Sequence, residues 1–111
     1  HGLADGEYEN EHFGPIVANE TGIKTKADGL FLGGSTPWNE IMKKARDLVG
    51  LSREEIAQLY AENPCRCLGI HDRGKIEIGR KSDFCLMDAD YHVIQTIIDG
   101  KIVFERAETE V

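Results

Sequence analysis

The spacing of the apolar residues changes near Leu68, and this change limits the folds that the chain can adopt. Between residues 37 and 62, apolar side chains recur at helical spacing between residues that favour helix ends. After Leu68, short runs of β-type residues alternate with turn residues. The sequence therefore predicts helices followed by antiparallel strands, a mixed α/β chain.

The first helix is predicted to begin at residue 37. Thr36 suits an N-cap, Pro37 suits the first helical position, and Gly50 suits the left-handed residue that ends a helix. The residues at helical spacing on its apolar face are Ile41, Ala45, Leu48 and Val49.

The second helix follows directly, so residues 37–62 are predicted to form two short helices. Ser52 and Glu55 form a capping box at its start, and Pro64 is expected to prevent its continuation. Its predicted buried stripe is Ile56, Leu59 and Tyr60.

The remaining segments are predicted from turn chemistry and β-type residues. Residues 1–14 are rich in glycine and acids and are predicted to be loop, whereas residues 15–32 are predicted to form a hairpin. The Asp-Gly pair at 99–100 indicates a second tight hairpin turn. The other predicted strands are 75–78, 84–89, 92–99 and 101–107.

The cysteines and histidines have no convincing metal-site spacing. Cys65 and Cys67 form C-x-C and not the C-x2-C of zinc knuckles, and Cys85 lies in a strand where alternation predicts burial. Packing is therefore the favoured role for all three thiols. His71 and Asp72 are adjacent in a turn, where such a pair is usually only surface.

The segment DGLFLGGST, residues 28–36, combines two glycines, two hydroxyls and a proline-started helix. Exposed backbone N–H groups at a helix start suit an anion or a polar substituent of a sugar. A plain strand-to-helix turn explains the same residues equally well.

Charge and length restrict the partners. The 111 residues carry a net charge of −7, which argues against nucleic acid or an anionic membrane as partner. No apolar run approaches the roughly 20 residues of a membrane span. Three cysteines without disulfide spacing favour the cytoplasm. Since the chain opens HGLADGEYENEHFG without methionine, we expect it to be the last part of a longer protein.

The stretch NPCRCLGIHDRGKIEIGRKSDFCLMDADYHVIQTIIDGKIV resembles the C-terminal signature of the amidohydrolase superfamily. The matching residues are Asn63, Pro64, Leu68, Gly69, Gly74, Ile76, Gly79, Asp83 and Gly100. Cys65, Arg80 and Ser82 are mild departures from the usual alanine, lysine and alanine. GLADGEYE and DGLFLGGST are in turn similar to segments of N-acetylglucosamine-6-phosphate deacetylases, at matching separation.

The resemblance implies a fold and a reaction. Residues 1–67 would be the terminal segment of a (β/α)8 barrel, with a hairpin and two helices. Residues 68–111 would supply antiparallel strands of a small β-sandwich built from both ends of the polypeptide. The implied reaction is metal-assisted hydrolysis of an acetamide, with zinc or iron activating water and an aspartate as general base.

The resemblance also implies roles for this chain and its partners. The metal ligands and the aspartate would precede GLADGEYE, so this chain alone would bind no metal and be inactive. The implied substrate-binding residues are Leu32, Gly33 and Gly34. The implied partners are a phosphorylated amino sugar, the missing N-terminal part of the same polypeptide, and a second copy in a homodimer.

Two alternatives stay open. The second half of the chain also fits other amidohydrolases, such as dihydroorotase-like or isoaspartyl-dipeptidase-like enzymes, although GLADGEYE and GGST count against them. A free-standing, non-catalytic β module that binds a partner through its strand edges is the alternative from another class.

Overall fold

The computed structural model describes residues 2–108, which form two compact units. The first unit ends at Ile41 and the second begins at Met42. The first contains a four-stranded antiparallel sheet, and the second contains helical segments and a three-stranded antiparallel sheet. The predicted mixed α/β class is confirmed at this level. The assignment of residues 1–67 to a barrel and 68–111 to a sandwich stays a prediction.

The first sheet is a meander in which each strand pairs with the next one along the chain. Its strands are β1 (Gly6–Asn10), β2 (Gly14–Asn19), β3 (Gly22–Thr25) and β4 (Phe31–Gly33). Ile16 and Ala18 alternate along the central strand β2, and both are buried. Because alternate side chains share one face of a strand, these two residues form the core of this sheet. The strands predicted within residues 15–32 are confirmed.

The prediction of a loop over residues 1–14 is wrong for β1. This strand forms a five-residue antiparallel ladder with β2, from Gly6 opposite Ala18 to Asn10 opposite Gly14. The Tyr8 hydroxyl also donates to a backbone carbonyl four residues earlier, at 2.8 Å. The composition suggested a loop, but pairing with a neighbouring strand outweighs the weak strand preference of the individual residues.

The first helical segment begins with α1 (Trp38–Lys44), continues as a π-helical turn (Ala45–Val49) and ends at Gly50. Gly50 has φ +79°, as predicted for the residue that ends the helix. The helix begins one residue later than predicted. Its first hydrogen bond runs from the Ile41 amide to the carbonyl of residue 37, at 3.1 Å, so this proline and not Thr36 caps the helix.

The predicted apolar face of this segment is only partly correct. Ala45 is buried and Ile41 is half-buried, but Leu48 and Val49 are 80% and 70% exposed. The last turn is π-helical, with hydrogen bonds to the fifth residue instead of the fourth. This winding rotates its side chains away from the face that a regular helix would present.

The second helical segment consists of α2 (Arg53–Ala57), a π-helical turn (Gln58–Glu62) and α3 (Asn63–Cys67). The predicted capping box is present: the Ser52 hydroxyl accepts from the Glu55 amide, and the Glu55 carboxylate accepts from the Ser52 amide. Ile56 is only 1% exposed and is the main core residue of this segment. Leu59 is 48% exposed, so the predicted stripe holds for Ile56 and is wrong for Leu59.

The prediction that Pro64 stops this helix is also wrong, because the helical path continues to Cys67. The π-helical turn before it ends with the Asn63 amide bonded to the Gln58 carbonyl. Pro64 then falls in the first turn of α3, where a backbone N–H has no helical partner to lose. The interruption in hydrogen bonding therefore accommodates the proline without ending the helix.

The capping box gives a first testable expectation. Ser52→Ala should lower the free energy of unfolding by about 1 kcal/mol, because the Glu55 amide loses its acceptor at the helix start. Thermal or urea denaturation measures this change. Ser82→Ala is the matched control, since among residues 2–108 the Ser82 backbone carbonyl, and not its hydroxyl, makes a hydrogen bond. Equal stability of the two variants would contradict a stabilising cap.

The second sheet is also a meander. Its strands are β5 (Phe84–Met87), β6 (Val93–Ile98) and β7 (Lys101–Glu105), which confirms three of the predicted strands. Asp99 and Gly100 have φ +52° and +74°, the left-handed pair of a type I′ hairpin turn.

The strand predicted at 75–78 is wrong: no described strand pairs with it, and Ile76 and Ile78 are 87% and 103% exposed. An alternating pattern forms a strand only where a neighbour completes its hydrogen bonds.

The expected burial of Cys85 is wrong as well. It lies on β5 at an edge of the sheet and is exposed, with its Sγ 3.6 Å from Oγ1 of Thr96 on β6. Alternation fixes which face of the strand the thiol is on. Alternation cannot show whether another layer of the protein covers that face. No described residue covers the face that carries Cys85.

Candidate functional site

The candidate site is the segment Leu32, Gly33 and Gly34, called here the LGG loop, at the end of β4. Leu32 and Gly33 are half-buried and Gly34 is exposed. The sheet holds the segment from one side, because Gly33 is opposite Ile23 and Phe31 is opposite Lys24 on β3. A register shift between the two β3 residues lets β4 leave the sheet at this point.

A hydrogen-bonded turn sets the path of the chain into β4. Thr25, buried at the end of β3, accepts from the Leu30 amide through its hydroxyl at 2.8 Å and donates to the Asp28 carboxylate. The backbones of residues 25 and 30 are also bonded, with the Thr25 amide donating to the Leu30 carbonyl at 2.9 Å. One buried threonine therefore closes the turn and fixes where β4 begins.

The carboxyl group of Asp28 responds to this turn. The hydrogen bond from the Thr25 hydroxyl, and next the one from the Leu30 amide, lower the pKa of Asp28 below its ordinary value. Both bonds favour the charged carboxylate. The turn is therefore organised around an ionised Asp28 at neutral pH.

Gly22 allows β3 and β4 to approach each other. A Cβ at this position would lie 2.5 Å from the Gly33 carbonyl oxygen and 2.7 Å from the Phe31 ring, and φ is +128°. Only glycine meets both requirements without displacing the LGG loop.

The glycines of the LGG loop itself are in a different situation. Neither Gly33 nor Gly34 has a positive φ, and a Cβ at either would meet no atom within 4 Å among the described residues. Backbone conformation therefore does not require glycine at these positions, and neither does packing within the described chain.

The residue after the loop is fixed by a hydrogen bond within the same unit. The Ser35 hydroxyl donates to the carbonyl of Glu20, in the turn between β2 and β3. The LGG loop is thus anchored on both sides, by β3 before Gly34 and by this bond after it. An anchored loop with open space above its glycines can present backbone groups to a ligand.

The buried threonine gives a second testable expectation. Thr25→Val keeps the volume but removes the hydroxyl. The Leu30 amide then loses one of its acceptors and the Asp28 carboxylate loses a donor, so the free energy of unfolding should fall by about 1 kcal/mol. Urea denaturation measures this. Thr21→Val is the control: it removes an exposed hydroxyl that donates to the Asn19 side chain at 2.7 Å, where water can replace the lost bond, and should cost less.

The same variant should show a pH dependence of known sign. The folded state lowers the pKa of Asp28, so its stabilising effect is present above the ordinary pKa and is lost as pH falls through the lowered one. The stability difference between wild type and Thr25→Val should therefore narrow in acid. A difference that widens in acid would contradict the role given to Asp28.

The described side chains of the types that can bind metal do not come together in one place. Among residues 2–108, no group of three or more histidine, cysteine or acidic side chains is placed to hold a metal ion. Cys65 is half-buried, whereas Cys67 and His71 are exposed. The residues present therefore do not fit a divalent metal centre.

Among residues 2–108, no helix is long and apolar enough to cross a membrane.

Sequence reasoning selected the LGG loop but missed the residues that position it. Gly22 and Thr25 lie within the hairpin predicted for residues 15–32, and neither was given a role in positioning the loop. The Asp-Gly pair at 28–29 was a local signal for the turn, because aspartate bonds its neighbours and glycine takes φ > 0. No local signal shows that a Cβ at Gly22 would meet β4, since that contact joins residues eleven positions apart.

Comparison with known proteins identifies similar chains. The model of the amidohydrolase family matches residues 17–103, which span most of both compact units. A Bacillus subtilis (strain 168) protein named N-acetylglucosamine-6-phosphate deacetylase is 33% identical over 98% of this chain and 27% of its own length. An adenine deaminase from Clostridium perfringens (strain 13 / Type A) is 34% identical over 61% of this chain and 12% of its own length.

Solved structures of N-acetylglucosamine-6-phosphate deacetylases are also similar to this chain. The N-acetylglucosamine-6-phosphate deacetylase from Thermotoga maritima has a TM-score of 0.79 and 30% identity, covering 95% of this chain and 28% of that one. The Mycobacterium smegmatis enzyme in complex with N-acetyl-D-glucosamine-6-phosphate has a TM-score of 0.74 over 92% of this chain and 27% of that one; at 22% identity it shows the fold alone. The chain spans about a quarter of the length of these three deacetylases and 12% of the adenine deaminase.

Proposed function

This chain belongs to the amidohydrolase family, and on that premise we propose that it is the C-terminal part of an N-acetylglucosamine-6-phosphate deacetylase. The whole enzyme would hydrolyse the acetamide of N-acetylglucosamine 6-phosphate to glucosamine 6-phosphate and acetate, a step of amino-sugar catabolism in the cytoplasm. The similarity to the Bacillus protein supports this substrate, because it extends over 98% of the chain.

In this proposal the described residues bind substrate and support the fold, and the rest of the polypeptide performs the chemistry. The family is generally metal-dependent, and zinc or iron is the proposed ion. Since residues 2–108 form no metal centre, the ligands and the general base would come from the other part of the same polypeptide.

The observation that carries the proposal is the LGG loop. Glycine at 33 and 34 serves neither a left-handed backbone nor internal packing, yet the segment is anchored on both sides. Space left open by two adjacent glycines permits a ligand to approach the main chain closely. We assign this space to the sugar of the substrate, with Leu32, Gly33 and Gly34 lining its pocket.

The exposed apolar residues support a role within a larger protein. Several large apolar side chains of the second unit are more than 70% exposed, which is unfavourable in water. They are Leu48, Leu68, Ile76 and Ile78. We propose that the N-terminal part of the polypeptide covers them, and that the complete enzyme is a homodimer.

Acetate release tests this function. The longer polypeptide should release acetate from N-acetylglucosamine 6-phosphate and lose this activity after chelation. The isolated 111-residue chain should release none and bind zinc no more tightly than micromolar. Chelator-sensitive turnover by the isolated chain, in a preparation free of host deacetylase, would refute the division of roles.

Adenine serves as the competing substrate in the same assay. The Clostridium perfringens relative is named an adenine deaminase, so the family resemblance alone does not fix the substrate. We expect no ammonia release from adenine. Ammonia without acetate would make this chain part of a deaminase instead, and neither product from the longer polypeptide would favour a non-catalytic module.

A further inference from the structure

A cleft in the second unit, called here the α3 cleft, has a lining of unusual charge. It has a volume of about 200 Å³ and lies between α3 and the segment that follows it. Its charged side chains and thiol are Glu62, Cys65, Arg66, Arg73, Lys75 and Arg80. Four cations thus face one carboxylate, in a chain whose net charge is −7.

The walls of the α3 cleft are held in place by backbone geometry. The helix ends in a Schellman motif, in which Ile70 donates to the Cys65 carbonyl at 2.8 Å and Gly69, with φ +69°, donates to the Arg66 carbonyl at 3.2 Å. On the opposite wall, Gly74 has φ +88°, and a Cβ there would lie 2.6 Å from the Cys65 Sγ. The two walls therefore meet in close contact at Cys65.

Two of the four cations are oriented by ion pairs. Arg73 is 3.0 Å from Asp72 and 3.5 Å from Asp83. Arg80 is 2.8 Å from Glu77 and also donates to the Arg73 carbonyl at 3.4 Å. These contacts occupy some of the guanidinium N–H groups and limit the movement of both side chains.

The other two cations lack a carboxylate partner. Within residues 2–108, no acidic side chain lies at ion-pair distance from Arg66 or Lys75. Arg66 donates one N–H to the Asn63 side chain, at 2.9 Å, and keeps its others available. Charged donors that have no carboxylate partner within the described residues favour an external anion.

We propose that the α3 cleft binds the phosphate group of a small phosphate monoester, with Arg66 and Lys75 as its principal contacts. Arginine suits the planar oxygen pairs of a phosphate, and lysine adds a compact point charge. The volume is below the roughly 300 Å³ at which pockets for whole drug-sized ligands begin, so it suits a phosphate head and not a large cofactor. The LGG loop contributes no residue here, so this site is independent of the proposed function.

The thiol of Cys65 allows a measurement specific to this cleft. In the complete polypeptide, alkylation of Cys65 by iodoacetamide should slow at least threefold as inorganic phosphate is added, and the effect should saturate. Tryptic cleavage after Arg66 places Cys65 and Cys67 on separate peptides, so mass spectrometry reads both rates. Cys67 is exposed, does not line the cleft, and should react at an unchanged rate.

Charge-reversing variants test whether the cleft cations cause the slower alkylation of Cys65. Lys75→Glu should abolish the protection of Cys65, whereas Lys101→Glu, which makes the same charge change on β7, should retain it. Equal protection by sodium chloride at matched ionic strength would overturn the proposal, as would equal protection in Lys75→Glu. So would a Cys65 that reacts only after denaturation, because the rest of the polypeptide would then fill the cleft.

Discussion

Gly34→Ala in the complete enzyme is expected to lower kcat/KM for N-acetylglucosamine 6-phosphate about tenfold or more, close to 1.4 kcal/mol of transition-state binding. The reason is steric: if the LGG loop lines the sugar pocket, a new methyl group occupies space that the substrate needs. Gly34→Val should lose more, because its side chain is larger. Steady-state kinetics on matched amounts of folded enzyme measure both effects.

Stability separates this role from a purely structural one. The Gly34 backbone is not in the left-handed region and a Cβ there meets no described atom, so Gly34→Ala should leave the free energy of unfolding unchanged or raise it by up to about 1 kcal/mol. A folded variant with reduced kcat/KM would support the substrate role. Kinetics equal to wild type would refute it and leave the similarity to deacetylases as evidence of fold only.

Gly22→Ala should have the largest effect on stability, a loss of about 3 kcal/mol in the free energy of unfolding. Its Cβ would overlap the Gly33 carbonyl oxygen, which belongs to the backbone of β4 and cannot rotate away as the Phe31 ring can. Strain at φ +128° adds to this overlap. Denaturation of the complete enzyme gives the total loss, and hydrogen exchange of peptides from β3 and β4 shows whether it is local.

Gly14→Ala is the matched control for this prediction. Gly14 has φ +68°, but a Cβ there meets no atom within 4 Å, so the variant carries backbone strain without overlap and should lose about 1 kcal/mol. An alanine at Gly14 therefore adds backbone strain alone, and one at Gly22 adds strain and steric overlap. An alanine at Gly34 adds neither. Equal losses at Gly14 and Gly22 would show that the approach of β3 to β4 does not depend on Gly22.

Features that depend on near neighbours in the chain were predictable. The capping box at Ser52, the left-handed end at Gly50 and the Asp99-Gly100 turn each involve residues within a few positions of one another. Their residue types leave few local conformations available. The family was predictable for a related reason, since its signature is a series of such local turns and ends over residues 63–100.

The wrong predictions concern residues whose burial or strand pairing depends on the winding of the helix or on a segment distant in the sequence. Leu48 was predicted to be buried and is exposed, because a π-helical turn, which periodicity does not show, carries it off the expected face. The helix continues past Pro64 because a second π-helical turn, Gln58–Glu62, interrupts the regular hydrogen bonding just before the proline. Cys85 and the segment 75–78 follow the pattern of buried strands, but their burial and pairing depend on other layers.

The sequence by itself determined the two helical segments, most of the strands, the Asp99-Gly100 turn and the family, since each follows from short-range chemistry. The tertiary structure alone decided that β1 is a strand, that Gly22 admits β4, and that the cations of residues 66–80 share one cleft. It also showed that the glycines of the LGG loop are not required by the described chain. These features depend on distances between segments, which a pattern of residue types along the chain does not contain.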